Sequence, residues 1–184
     1  MQATDILSQE HRVIERVLDA LQSAAHTVEA GGEKITPEFF IDAANFIRGF
    51  ADGCHHHKEE GVLFKMMASN GMSEQGGPLA AMLHEHELGR QYTRAMRAGA
   101  EQWQAGNESA RELVAENALG YVALLRQHIA KEDNILFPMA ERVIPLAEHS
   151  VVLAGFERVE HEETGEGIHE KYLALADKLS LQVA

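Results

Sequence analysis

Four stretches of the chain carry apolar residues at the three-and-four spacing of a helix that buries one face. They cover about 5–30, 37–68, 78–105 and 108–137, and none holds a proline past its first position. Leu7, Ile14, Leu18, Leu21 and Ala25 form the stripe of the first stretch, and Leu79, Met82, Thr93, Met96 and Ala100 that of the third. Val114, Tyr121, Leu124, Ile135 and Met139 continue the pattern through the fourth. Breakers separate them: "GGEKITP" at 31–37, "SNGMSEQGGP" at 69–78 and "AGN" at 105–107, with Pro138 and Pro145 marking a fourth break. Thr36 before Pro37 reads as an N-cap with proline at the first helical position. Long Val/Ile/Thr alternation is absent. The expectation is an all-α chain: an up-down-up-down four-helix bundle over 1–145 and a C-terminal helical extension over 146–184. "SVVLAGFERVEHEE" and "GIHEKYLALADKLSL" are the two shorter helices of that extension. Phe39, Phe46, Phe50 and Phe64 project roughly opposite His55 and offer them a dock, with a homodimer interface as the competing use.

A repeat is laid over this pattern. Residues 55–66 read "HHHKEEGVLFKM" and residues 128–139 read "HIAKEDNILFPM", in the shared frame H-x-x-K-E-[DE]-x-[VI]-L-F-x-M. It pairs His55 with His128 and Glu59 with Glu132. In each pair His and Glu are four apart, on one helix face with Cβ atoms about 5–6 Å apart. His57 and Asp133 fall away from that face; the register His56–Glu60 has the same spacing and stays open.

The other two helices supply matching residues. Leu7, Ile14 and Leu18 bracket His11, and the stripe of the third helix includes His86 but not His84. His11 and His86 lie early in their helices, His55 and His128 late, so an up-and-down order brings all four to one depth. A lone buried histidine is usually a hydrogen-bonded core residue. Four at one depth with two buried glutamates are different, because each uncompensated carboxylate costs several kcal/mol. No lysine or arginine sits at the centre of the seam, Arg90 being the nearest, so a metal is expected to supply the charge. Imidazole and carboxylate without thiolate suit iron, zinc or manganese. Six ligands exceed what one tetrahedral zinc takes. Two iron ions bridged by glutamates fit the count ahead of zinc or manganese, with positions left for an exogenous ligand.

Composition narrows the partners. The chain has 184 residues, 45% hydrophobic and 24% charged, enough apolar matter for a real core. A net charge of −13 argues against a nucleic-acid partner. The single cysteine, Cys54, permits no internal disulfide and fits a reducing, cytoplasmic setting. The N-terminus lacks a signal-peptide pattern, and no apolar run approaches the ~18 residues of a membrane span.

With His11, "HHHKEEGVLF", "MLHEHELGR" and "HIAKEDNILFP", residues 5–140 resemble the hemerythrin-like, or HHE cation-binding, family. The resemblance implies that His11, His55, Glu59, His86, His128 and Glu132 ligate a non-haem di-iron site, Glu59 and Glu132 bridging. Marine-worm oxygen carriers have a second histidine four after the third-helix ligand, where this chain has Arg90, and a bridging aspartate at the spacing of Asp133. The departures resemble the bacterial and regulatory branches. These imply a centre that binds or reacts with dioxygen, peroxide or nitric oxide, or a metal and oxygen sensor without turnover. Three further residues are candidates for an additional ligand or a supporting contact: His56 at the edge of the site, His169 if the extension folds back, and Tyr121 one heptad before His128.

Overall fold

A computed structural model describes residues 2–165 and 167–184, the side chains of 162–164 excepted. Among the described residues every regular element is helical. The first run is α1 (Ala3–Glu29). The second is unbroken from 37 to 69: α2 (Pro37–Phe46), π1 (Ile47–His56), π2 (Glu59–Leu63) and α3 (Phe64–Ser69). α4 (Gly77–Gln104) forms the third. The fourth joins α5 (Ala110–Lys131), π3 (Glu132–Leu136) and α6 (Phe137–Val143) without a break. A short 3-10 turn (Leu146–Glu148) leads to α7 (His149–Arg158), π4 (Val159–Thr164) and α8 (Ile168–Gln182). No helix among the described residues is long and apolar enough to cross a membrane.

Local chemistry sets the ends. The Gln2 amide donates to the Asp5 carboxylate at 2.7 Å, closing the first turn of α1. Thr36 stands at the N-cap of α2 in extended backbone, without a side-chain capping bond, and Pro37 opens the helix. α1 and α4 stop where Gly31 and Gly106 take φ of 77° and 98°, the left-handed turn that ends a helix most cheaply at glycine. The two copies of the repeat share a less common feature. π2 and π3 occupy the same positions of the frame, "EEGVL" and "EDNIL". Wide π turns are rare and gather at functional sites.

α4 packs on α5 and α2, and α1 packs on α5. Two apolar clusters result. One holds Ile14, Leu18, Phe40, Phe46, Phe50, Met96, Val114 and Leu125, and the other Leu7, Leu63, Phe64, Leu79, Met82, Leu136 and Phe137. Along each run the boundary between them falls at a residue of the polar layer: His11 after Leu7, His55 before Leu63, His86 after Met82 and Glu132 between Ile129 and Leu136. The polar layer is thus held between two apolar slabs, each large buried side chain contributing about 1.5–3 kcal/mol. The extension covers the phenylalanine face. Tyr172 meets Phe46 edge-on at 6.3 Å, His169 lies 5.3 Å from Phe50, and Phe156 joins the cluster of Phe64.

Candidate metal centre

The six residues singled out by phase and repeat lie together and are all buried. Glu59 Oε1 is 3.5 Å from His55 Nε2, and its Oε2 is 3.5 Å from His86 Nε2. Glu132 mirrors this, with Oε2 3.3 Å from His11 Nε2 and Oε1 3.2 Å from His128 Nε2. Each carboxylate therefore turns one oxygen to the His11–His55 side and one to the His86–His128 side. Two groups that could hold an ion share Glu59: His11, His55, Glu59 and Glu132, and His56, Glu59, His86 and His128. His56 is the seventh member, 4% exposed and stacked on His86 at 3.9 Å between centroids.

A ring of carboxylates orients the histidines from behind. The Nδ1–H groups of His11, His55, His86 and His128 donate to Asp133, Glu10, Glu60 and Glu85 at 2.8, 2.9, 2.7 and 2.9 Å. The four Nε2 atoms are left facing inward, the tautomer a metal requires. A cation steadies each carboxylate in turn: Arg12 on Asp133, Lys58 on Glu10, Arg90 on Glu60 and Lys131 on Glu85. The arrangement follows the repeat. Its lysine holds the acid behind the histidine of its own run, and its [DE] position accepts from the histidine of another run.

The inward atoms fit a cation. His11 Nε2, His55 Nε2, both nitrogens of His56 and all four oxygens of Glu59 and Glu132 are buried without a hydrogen-bond partner. Each orphan costs about 1–3 kcal/mol. His86 and His128 meet Nε2 to Nε2 at 3.0 Å, close to the separation of two imidazoles on adjacent positions of one ion at about 2.1 Å. The hemerythrin HHE cation-binding domain matches residues 2–140. The chain belongs to the hemerythrin HHE family. It is also 27% identical over 168 residues to uncharacterized proteins of Mycobacterium bovis and Mycobacterium tuberculosis. The match takes in 89% of this chain and 63% of theirs, so the chain spans less than two thirds of their length. No solved structure matches it significantly.

Without a metal, this hemerythrin-family centre distributes its protons unevenly. Burial and the nearby Glu132 push the Glu59 carboxyl well above its usual range. Burial also works against the Glu132 anion, but His128 and His11 outweigh it and hold that carboxyl down. Burial opposes the His128 cation, yet Glu132 and Glu85 raise the ring to about 9. Burial alone dominates at His55, lowering it to about 4.

The structure places the remaining candidates as follows. Tyr121 is buried and is among the residues lining a cavity of about 350 Å³ that reaches His56 and His86. His169 lies outside the centre, grouped with Glu10 and Cys54 on the outer side, where Lys58 already brings positive charge. No lysine or arginine is expected at the centre of the seam; Lys58 is wholly buried, but it lies on Glu10 behind His55 rather than beside Glu59 and Glu132. Sequence reasoning passed over Glu10 and Glu85. The available signal was that a glutamate directly precedes both His11 and His86. Asp133, set aside for its phase, accepts from His11.

Proposed function

We propose that this chain holds a non-haem di-iron centre that binds or reacts with a small oxidant: dioxygen, peroxide or nitric oxide. One observation carries the reading: two buried carboxylates each divide their oxygens between two histidine groups. On this reading Glu59 and Glu132 would serve both ions, His11 and His55 would hold one, and His86, His128 and His56 would hold the other. Residues 1–145 act as an up-down-up-down bundle, since early positions of the first and third runs meet late positions of the second and fourth. Residues 146–184 cover it.

Bound iron would supply the change of oxidation state and the position for the oxidant. The protein residues do the rest. Four carboxylates fix the imidazole rings, and four cations hold those carboxylates. The two apolar slabs keep bulk water from the centre, and the cavity beside His56 admits small molecules. A second reading, a metal or oxygen sensor without turnover, is favoured by one contact. Lys58, behind His55, also pairs with Glu160 of π4 at 3.1 Å, tying the centre to the C-terminal helices.

Metal analysis after aerobic iron loading tests the proposal and should return about two iron atoms per chain. A single tightly held zinc, or no iron, refutes it. Mixing the reduced protein with dioxygen, peroxide and nitric oxide while following absorption separates the readings. Repeated turnover marks an oxidoreductase, and one stable, reversible spectral change marks carriage or sensing.

A further inference from the structure

The cavity that reaches His56 and His86 is larger than a diatomic oxidant needs. It measures about 350 Å³. At the ~30 Å³ that a water molecule takes in the liquid, it has room for on the order of ten non-hydrogen atoms. Its walls are apolar, with Ala44, Ile47 and Gly89 among them. Tyr121, 1% exposed, is part of the lining, and its buried hydroxyl has no hydrogen-bond partner. If the nitrogens of His56 serve the metal, this hydroxyl is the buried donor of the lining left without a partner.

The lining is cationic. Arg90 is engaged by Asp52 and Glu60 at 2.7 and 2.6 Å. Arg94 pairs with Glu87 at 2.8 Å, and Arg97 with Glu101 at 2.9 Å. Arg48 is exposed, lines the same cavity, and has no ion pair among the described residues. On a chain of net charge −13, an arginine-lined apolar slot selects for a negative group joined to an apolar body.

We propose that this cavity binds a medium-length organic carboxylate. The carboxylate sits at Arg48, the chain lies along Ala44 and Ile47, and a polar group at the far end meets the Tyr121 hydroxyl. The proposal rests on the di-iron reading only for what lies under His56 and His86. It gives that centre an organic substrate or effector beside the small oxidant.

Calorimetric titration of the full chain, iron-loaded and chelator-treated, tests it with octanoate, 8-hydroxyoctanoate and octanol. Octanoate should bind saturably to both forms, and octanol about tenfold more weakly. 8-Hydroxyoctanoate should bind more tightly than octanoate, and Tyr121→Phe should remove that difference. Arg48→Glu, an exposed change that spares the core, should weaken octanoate about tenfold. Thr93→Phe fills the slot and should abolish binding, with retained helicity checked by circular dichroism. No saturable octanoate binding to either form overturns the proposal. So does equal affinity for octanol, or binding indifferent to both Arg48→Glu and Thr93→Phe. Octanoate binding by a chain that takes up no iron sustains this inference while refuting the di-iron reading.

Discussion

Lys58 and Lys131 hold the same position of the repeat and the same kind of partner, and differ in burial. Lys58 is 0% exposed and lies 2.5 Å from Glu10, itself 6% exposed. Lys131 is 40% exposed and pairs with Glu85, which is 16% exposed. Burial opposes the Lys58 ammonium, but Glu10, Cys54 and Glu160 more than offset it and raise its pKa, so the charge is present throughout the ordinary pH range. Lys58→Met keeps the stem and removes the charge, leaving the Glu10 carboxylate buried with only the His55 N–H. Removing one partner of a buried pair costs about 3–5 kcal/mol. Lys131→Met leaves a carboxylate that water can reach, and about 1 kcal/mol or less is at stake. With a urea slope of about 2 kcal/mol/M, the midpoints should fall by roughly 1.5 M or more and by less than about 0.5 M. The assay is urea denaturation of the chelator-treated chain, so that metal binding does not mask the difference. Adding Glu10→Gln to Lys58→Met should recover part of the loss, because the orphaned carboxylate is what costs. Equal midpoint shifts for the two lysines would refute the reasoning.

His86→Ala should lose iron by at least tenfold relative to the exposed His84→Ala in a metal-content assay, since only His86 faces the glutamates. His56→Ile restores the symmetry of the repeat, whose second copy has Ile129. In a metal titration, one ion should keep its affinity and the other should weaken about 10–100-fold. Metal uptake at pH 7 should release protons, because His128 at about 9 holds a proton that ligation expels. Affinity then rises with pH from 6 to 9, and heats in buffers of different ionisation enthalpy give the proton count. In the metal-free chain the raised His128 contributes stability that is full below its unfolded value of about 6.5 and lost as pH passes about 9. Saturating iron at about 1,000 times its dissociation constant should add ~4 kcal/mol to unfolding, read as a rise in Tm that a chelator reverses.

The positions of the runs, their caps and the depth of the histidine layer were legible because they depend on local periodicity and on breakers. Gly31, Pro37 and Gly106 act on their own turns whatever packs around them. The repeat identified His55, Glu59, His128 and Glu132 without knowledge of the third dimension. His56, weighed as an extra ligand or an edge residue, is left open by the same arithmetic. A wheel at a constant ~100° per residue sets it beside the seam, but π1 spans Ile47–His56, and the wider turn brings neighbouring side chains closer in angle. The carboxylates behind the rings were illegible for another reason. Glu10 and Glu85 look like ordinary solvated residues in sequence, Glu60 and Asp133 like alternative ligands, and only the contact between runs gives each a histidine to hold. The lysine of the repeat was visible as a match and silent as to purpose.

The chain from His55 through Glu10 and Lys58 to Glu160 makes the last helices a party to whatever happens at the centre. Free-energy coupling is reciprocal. If an ion at His55 pins Glu10 and Lys58, then Glu160 is held more firmly and π4 docks more tightly; if π4 peels away, the ion is held less well by the same factor. Among the described residues the other half of the repeat has no such tether: Lys131, 40% exposed, pairs with Glu85. Protease cleavage in the segment after Arg158 thus becomes a gauge of metal occupancy on one side of the centre and is blind to the other.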